Sequence, residues 1–351
     1  MYDVILSFIT AFTLTYLAIP SIINVAKAKH IYDMPDDSGR RSHDSPIPRL
    51  GGIAIFAGVV LSVTVWTPFN VFADLQYILA ALVVIFLIGF RDDIQPISPK
   101  YKLLGQVLAA AIIVFKAHIR LTSLYGILGV YEIPFIPSVA LSMFTIIVII
   151  NAFNLIDGIN GLSGSITVLI TLTIGIWFLL IGRLEIAVLA FSLAASVIAF
   201  LYYNVTPARI IMGDTGALLN GLVCSILTIK FIELNRGLTN SPYSLKAVPA
   251  VAVGILILPL FDTLRVFTMR IARGRSPLVA DRNHIHHLLI DAGLSHMQAT
   301  GVLVCVNALF IFMVLYLQNI GTFNLLVLIL GIASLLSGML FLIAKKRRLI
   351  A

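Results

Sequence analysis

Charged residues are scarce in this sequence, and their scarcity excludes an ordinary soluble domain. Asp, Glu, Lys and Arg make up 11% of the 351 residues, whereas 60% of the residues are hydrophobic and the mean hydropathy is +1.04. Soluble domains carry about 25% charged residues. Apolar stretches long enough to cross roughly 30 Å of hydrocarbon recur along the chain, so the composition predicts an integral membrane protein.

Cysteine is nearly absent as well. Cys224 and Cys305 both lie inside apolar runs, without metal-type spacing, so a disulfide framework and a cysteine-based metal site are excluded. We expect both to be packing residues. The sequence also lacks internal repeats and low-complexity linkers, which predicts a single membrane domain over residues 1–351.

Eleven apolar stretches predict an all-α, polytopic membrane protein. The stretch nearest the N-terminus is preceded by Asp3 and by no Lys or Arg, which disfavours a removable signal peptide. The predicted spans run approximately over 3–26, 51–67, 74–90, 103–119, 136–152, 165–181, 185–203, 215–231, 247–269, 299–317 and 323–344.

The basic residues predict the orientation. With the N-terminus outside, 18 of the 24 Lys and Arg residues fall on the inner side, so the C-terminus is expected in the cytoplasm. The net charge of +8 is spread over loop ends without a basic stripe, which excludes a nucleic-acid partner. Contact of residues 345–348 with membrane lipid head groups is the expected use of that charge.

Two adjacent carboxylates end the third apolar stretch. Charges near hydrocarbon are costly, so acidic residues at such places are functional candidates. Asp92 and Asp93 raise each other's pKa unless a cation lies between them, which suits a metal site or a proton acceptor. A helix end that meets water and turns at Pro96 is the alternative.

A second candidate region, residues 151–164, is rich in Asn and Gly. Asn151, Asn154, Asp157 and Asn160 supply oxygens for a hard cation, and the glycines let the backbone approach a ligand. Ordinary turn chemistry is the alternative.

A third region surrounds Asp214, which lies at the predicted start of a helix. There it can cap the helix, or it can hold a metal-bound phosphate together with the free N–H groups.

The loop over 262–298 concentrates histidine and arginine. His284, His286 and His287 fall within four positions, near Arg265 and Arg282. The histidines lack the intervening Glu of a zinc protease motif, and the surrounding charge is positive, so a diphosphate site is the better interpretation. A solvated basic loop that only orients the chain is the alternative.

The first inner loop, 40–52, carries Arg49 between two prolines and two glycines. It is either a fixed element that binds phosphate or a rigid connector. Together with loops 91–102, 151–164, 204–216 and 262–298, it brings carboxylates, amides and cations to one membrane face. That combination suits magnesium-assisted phosphoryl transfer.

Five motifs in this order resemble the polyprenyl-phosphate N-acetylhexosamine-1-phosphate transferase family, glycosyltransferase family 4. The resemblance covers about residues 40–290, and its His-x-His-His form is similar to the branch that uses simple UDP-sugars. The motifs are Pro46-Ile-Pro48-Arg49-Leu-Gly51-Gly52, Asp92-Asp93, Asn151-Ala-Phe-Asn154-Leu-Ile-Asp157-Gly158, Met212-Gly213-Asp214-Thr215-Gly216 and His284-Ile-His286-His287.

The resemblance implies an undecaprenyl-phosphate GlcNAc-1-phosphate transferase-like enzyme in the bacterial inner membrane, with its active site facing the cytoplasm. Such an enzyme transfers a sugar-1-phosphate from a UDP-N-acetylhexosamine to undecaprenyl phosphate. It releases UMP and initiates cell-envelope polysaccharide synthesis. The implied cofactor is magnesium, with manganese as a substitute, and a homodimer is left open.

The resemblance also implies residue roles. Asp214 and Asn154 would hold the metal, Asp92 and Asp93 would manage the lipid phosphate and its proton, and Asp157 would line the nucleotide site. The other catalytic candidates are His284, His286 and His287, and the substrate-binding candidates are Arg49, Asn151, Asn154, Asn160, Gly213, Arg265 and Arg282.

Two residues depart from the family pattern. Asn160 stands where many members have Asp, and it cannot act as a base. Ile211 stands where an aromatic residue often precedes Met-Gly-Asp, which removes a stacking surface. An ion-coupled membrane transporter is the alternative function, because carboxylates within a membrane also form proton paths.

Overall fold

Long apolar helices form most of this computed structural model, which describes residues 1–32, 47–68, 72–205, 207–238, 241–274 and 284–348. A π-helical turn, Ile112–Lys116, extends α4, and a 3-10 turn, Gln318–Ile320, follows α12. The helices are α1 Tyr2–Ala28, α2 Gly51–Trp66, α3 Phe72–Ile94, α4 Pro99–Ala111, α5 Phe135–Ile156, α6 Leu162–Leu180, α7 Leu184–Asn204, α8 Gly213–Asn235, α9 Val248–Ile255, α10 Ile257–Ala272, α11 Ile285–Asp291, α12 His296–Leu317 and α13 Thr322–Arg348.

The number of membrane spans differs from the sequence prediction. Each of the eleven predicted stretches overlaps a helix. Within the described ranges, however, seven helices are long and apolar enough to span a membrane, or eight if α9 and α10, which meet at 82°, form one bent span. For example, α2 has 16 residues, about 24 Å at the helical rise. Eleven spans and the orientation therefore stay predictions.

A β-hairpin that the all-α prediction missed precedes α5. Strand β1, Ser123–Ile127, pairs antiparallel with β2, Val130–Glu132. The hairpin is joined to the C-terminal end of α8, where Glu233 Oε1 accepts a hydrogen bond from the Thr122 backbone N–H at 2.8 Å. Tyr125 donates its hydroxyl to the Ile232 carbonyl at 2.6 Å. Such a short element has no strong sequence signal among long apolar runs.

Helix α8 lies at the centre of the packing and is the most buried of the seven candidate spans. Glycines let neighbouring helices approach it closely. A Cβ atom on Gly52 of α2 would lie 2.1 Å from the Gly216 nitrogen, and one on Gly89 of α3 would lie 2.5 Å from Thr215 Cα. These contacts bring the ends of α2 and α3 to the first turn of α8, and Asp92, Asp93 and Asp214 lie there.

Candidate active site

Side-chain oxygens of three residues, each on a different helix, surround the ammonium group of Lys102. Lys102 Nζ lies 3.4 Å from Asp92 Oδ2 and 3.3 Å from Asn154 Oδ1, and it also forms an ion pair with Asp214 Oδ2. The four residues belong to α3, α4, α5 and α8. The structure thus brings together Asp92, Asn154 and Asp214, which the sequence analysis took from three separate motifs.

Lys102 was not among the predicted site residues, because the sequence analysis used it only to orient the chain. A signal for it was present: it lies ten residues after Asp92, within the first turn of an apolar helix. Pro99 begins that helix at a position where a missing N–H costs nothing. The Ile97 backbone N–H donates to Asp92 Oδ1 at 2.8 Å, so the turn between α3 and α4 is held in place.

Asn154 orients the cluster that we call the carboxylate–amide site: Asp92, Asn154 and Asp214. Asn154 Nδ2 donates to Asp214 Oδ1 at 2.8 Å, which turns its carbonyl oxygen toward Lys102. Asp214 accepts from both neighbours, one at each oxygen. The amide therefore fixes the direction of the Asp214 carboxylate.

The donor set of this site fits a magnesium ion. Carboxylate and amide oxygens are ligands of hard cations, and the Lys102 ammonium stands in for such a cation among them. Within the described ranges, no three His, Cys, Asp or Glu side chains form a metal-binding group. Two carboxylates and one amide suit magnesium, which keeps several water or phosphate ligands.

Asp93 caps the start of α8. Its Oδ1 accepts the Asp214 backbone N–H at 2.7 Å, and its Oδ2 accepts the Thr215 N–H at 2.9 Å and the Thr215 hydroxyl at 2.6 Å. A Cβ on Gly213, whose φ is +73°, would lie 2.7 Å from both Asp93 oxygens. The prediction that Asp214 itself can cap this helix is wrong, because Asp93 takes that place and leaves the Asp214 side chain in the carboxylate–amide site.

The Pro48–Gly52 segment pairs with the backbone that precedes Asp214. The Ile211 N–H donates to the Pro48 carbonyl at 2.8 Å, and the Gly51 and Gly52 N–H groups donate to Ile211 and Met212 at 3.0 and 2.9 Å. This contact favours the rigid-connector interpretation for the backbone of residues 47–52, the described part of the first loop. It also joins the first and fourth sequence motifs.

Asp157 follows the last residue of α5 and titrates near neutral pH. Burial and, to a smaller extent, the negative charge of Asp214 raise the pKa of Asp157 to about 7, against the opposing charge of Arg49. A carboxyl with such a pKa can take up or release a proton at neutral pH. Arg49, predicted as a substrate-binding residue, thus lies within electrostatic range of Asp157.

The histidine motif is held by Asp262, a buried residue of α10. Asp262 Oδ2 lies 2.8 Å from His284 Nδ1, and Oδ1 accepts the Ile285 backbone N–H at 2.9 Å and Arg265 Nη2 at 3.3 Å. The His284 and His286 rings are parallel within 10°. His287 packs on His286 with ring centroids 4.3 Å apart.

The histidine motif and the Asn/Gly segment touch each other. A Cβ on Gly158 would lie 2.3 Å from His286 Nε2, so only glycine allows this approach. Thr300 of α12 donates its hydroxyl to the Asn160 carbonyl at 2.9 Å. Burial and, to a smaller extent, the neighbouring His287 lower the pKa of His286 to about 3, which favours the neutral imidazole at neutral pH.

Asn151, predicted as a substrate-binding residue, stands apart from these contacts. Asn151 pairs its side-chain amide with that of Gln106, with N–O distances of 2.7 and 3.2 Å, one helical turn before Asn154. Arg282 lies outside the described residues. The catalytic, substrate-binding and metal-binding roles of all the predicted site residues stay predictions, including those of Asn151, Asn160, Gly213 and Arg282.

Known proteins match this chain over most of its length. A "probable undecaprenyl-phosphate N-acetylglucosaminyl 1-phosphate transferase" of Bacillus subtilis is 30% identical over 321 residues, 88% of this chain and 84% of that protein. The model of glycosyl transferase family 4 matches residues 75–232. The chain belongs to glycosyl transferase family 4.

Two further family 4 relatives support this assignment. An undecaprenyl-phosphate alpha-N-acetylglucosaminyl 1-phosphate transferase of Escherichia coli K12 is 30% identical over 306 residues, 86% of this chain and 80% of that protein. A Yersinia pestis protein with the same description is 28% identical and covers 77% of this chain and 73% of its own length. The family 4 match includes the carboxylate–amide site, whereas the histidine motif lies beyond it.

Proposed function

We propose that the protein transfers a sugar-1-phosphate from a UDP-N-acetylhexosamine to undecaprenyl phosphate, and that this sugar-1-phosphate is GlcNAc-1-phosphate. The reaction releases UMP and leaves a lipid-linked sugar diphosphate. The observation that carries the proposal is the convergence of Asp92, Asn154 and Asp214 on one cation position. The relatives whose names state this reaction supply the substrates.

Asp214 and Asn154, with Asp92 beside them, are the residues proposed to hold magnesium, or manganese in its place. When bound, the ion neutralises diphosphate charge and lowers the barrier to displacement. Asp93 keeps the first turn of α8 in position, so that the Asp214 carboxylate stays beside Asn154. With a divalent ion held by these carboxylates, the Lys102 ammonium would be available as a cation for a substrate phosphate.

The acceptor phosphate attacks directly in this proposal. Phosphoryl transfer depends mainly on position and charge, so no covalent enzyme intermediate is required. In place of Asp92 and Asp93, to which the resemblance assigned this step, Asp157 takes up the proton that a monoprotonated acceptor phosphate carries near neutral pH, since its own pKa is about 7. His284 and Arg265, both held by Asp262, face the diphosphate or sugar of the donor.

The proposed location is a bacterial inner membrane, with the site on the cytoplasmic side. The excess of Lys and Arg in the predicted inner loops supports this orientation. A cytoplasmic site also suits a water-soluble nucleotide sugar as donor. Labelling of a cysteine placed at the C-terminus with a membrane-impermeant reagent tests the orientation: labelling only after lysis agrees with it, and labelling of intact spheroplasts contradicts it.

An ion-coupled transporter, the alternative predicted from sequence, has no support in the comparisons, whose named relatives are transferases. In addition, the carboxylates lie at helix ends rather than in the middle of a span. We therefore retain a single function.

The test is an assay of purified protein with undecaprenyl phosphate and a panel of UDP-sugars, with and without magnesium, with UMP as readout. We expect UMP from a UDP-N-acetylhexosamine only when lipid phosphate and divalent ion are both present. Asp214→Asn removes activity, whereas Glu132→Gln, in the exposed hairpin strand, keeps it. UMP release without lipid phosphate would indicate a hydrolase, and no release from any UDP-sugar overturns the proposal.

A further inference from the structure

Asp262 is the most completely buried acidic side chain in the described part of the chain, with 1% of its surface exposed. A buried carboxylate is costly unless hydrogen bonds and opposite charge compensate it. Asp262 has both, from His284, Arg265 and the Ile285 backbone. Helix packing alone does not require three hydrogen-bond donors on one buried carboxylate. This arrangement therefore indicates a function for Asp262.

The bend between α9 and α10 places Asp262. The two helices meet at 82°. Asn307 of α12 stabilises the bend, because it accepts the Leu258 N–H at 3.2 Å and donates to the Ile255 carbonyl at 3.1 Å. Asp262 follows in the second turn of α10 and faces the start of α11. It caps α11 from another helix, as Asp93 caps α8.

We propose that Asp262 is a positioning residue for the donor substrate: it fixes which nitrogen of His284 meets the substrate and aims Arg265 at the same site. Because the carboxylate accepts from Nδ1–H, Nδ1 is the protonated nitrogen, and Nε2 is left to accept a hydrogen bond from a hydroxyl or an amide N–H of the donor sugar. The same carboxylate orients the Arg265 guanidinium. The inference rests on the proposed function, whose donor is a UDP-sugar.

One substitution separates this role from simple packing. Asp262→Asn keeps the size and the oxygen that accepts from Ile285 and Arg265, but its amide nitrogen donates toward Nδ1. Nδ1 must then accept, so the proton moves to Nε2, and Nε2 donates a hydrogen bond where it accepted one in the parent protein. We expect kcat/KM for the UDP-sugar to fall roughly 10–100-fold, with the KM for undecaprenyl phosphate unchanged.

A double-mutant cycle shows whether the effect passes through His284. We expect Asp262→Asn combined with His284→Ala to be no worse than His284→Ala alone, because the ring is then absent. Glu132→Gln, in the exposed strand β2, is the carboxylate control and keeps the parent kcat/KM. Losses that multiply in the double variant would overturn the inference.

A measurement without turnover covers the case in which Asp262→Asn fails to fold. The ¹⁵N shifts of the His284 ring in the parent protein report its tautomer, assigned by their loss in His284→Ala. A proton on Nδ1 is expected, and a proton only on Nε2 contradicts the inference. A parent protein that releases no UMP overturns the proposed function, whereas an active parent with an equally active Asp262→Asn overturns only the role of Asp262.

Discussion

Asp93 of α3 accepts the backbone N–H of Asp214 at 2.7 Å, so the second carboxylate of the Asp92-Asp93 pair holds the helix that carries Asp214 into the carboxylate–amide site. The two neighbours in sequence therefore have different surroundings. Asp92 points to Lys102, and Asp93 is bound by the first turn of α8. Substitution of each should give a different result.

Asp92→Asn should abolish UMP release while thermal stability stays near that of the parent, because Asp92 belongs to the carboxylate–amide site. Asp93→Ala should lower stability by roughly 1–2 kcal/mol, since a helix cap is lost, and should also weaken manganese binding as the Asp214 turn loosens. Thermal unfolding in detergent and Mn²⁺ titration by electron paramagnetic resonance measure both effects. Equal losses of stability in the two variants would contradict this division of roles.

Lys102 and a divalent ion should compete for the same oxygens. In EDTA, Lys102→Gln should melt at a lower temperature than the parent, because Asp92 and Asp214 lose their cation. Added magnesium should raise the melting temperature of the variant more than that of the parent, since binding no longer displaces an ammonium group.

The matched control for Lys102 is Lys100→Gln, two residues earlier and exposed. It should respond to EDTA and magnesium as the parent does. The same magnesium shift in the parent and in both variants would show that the ion binds elsewhere.

Asp157→Asn should make the protein more stable at alkaline pH and less active. The pKa of Asp157 is raised from 3.8 to about 7 in the folded protein, so the folded state holds the proton more tightly than the unfolded chain. The stability due to this group is complete below about pH 4 and is lost as the pH rises to about 7. Asn cannot ionise and avoids that loss.

Melting of parent and Asp157→Asn in EDTA from pH 5 to 8 tests the sign. The advantage of the variant should grow up to about pH 7 and then stay constant, as the pKa requires. An advantage that shrinks with rising pH would mean that the Asp157 carboxylate stabilises the fold when ionised.

His287→Ala should reduce turnover more than Lys346→Ala. His287 packs against His286 in the histidine motif, whereas Lys346 is an exposed residue near the end of α13. Rates of UMP release at saturating and limiting UDP-sugar measure the difference. Small and equal effects would support the solvated-loop interpretation of residues 262–298.

The sequence by itself determined the class of protein and the main candidates for chemistry. Low charge and recurrent apolar stretches predict a helical membrane protein. In the hydrocarbon core of a membrane the backbone N–H and C=O groups must be hydrogen-bonded within the protein, and an α-helix satisfies all of them. The sequence also identified Asp92, Asn154 and Asp214. Polar residues next to apolar runs are energetically costly, so they are candidates for a function. The family followed from the order of the motifs, and the comparisons confirm it.

Only the tertiary structure decided how those residues are used. Lys102 meets Asp214, 112 positions away, and Asp262 meets His284 across 22 positions. The bend between α9 and α10 and the hairpin of β1 and β2 were likewise invisible in the apolar pattern. Hydropathy reports which solvent each segment prefers, whereas a hydrogen bond between distant segments depends on how the helices pack, and packing leaves no local signature in the chain.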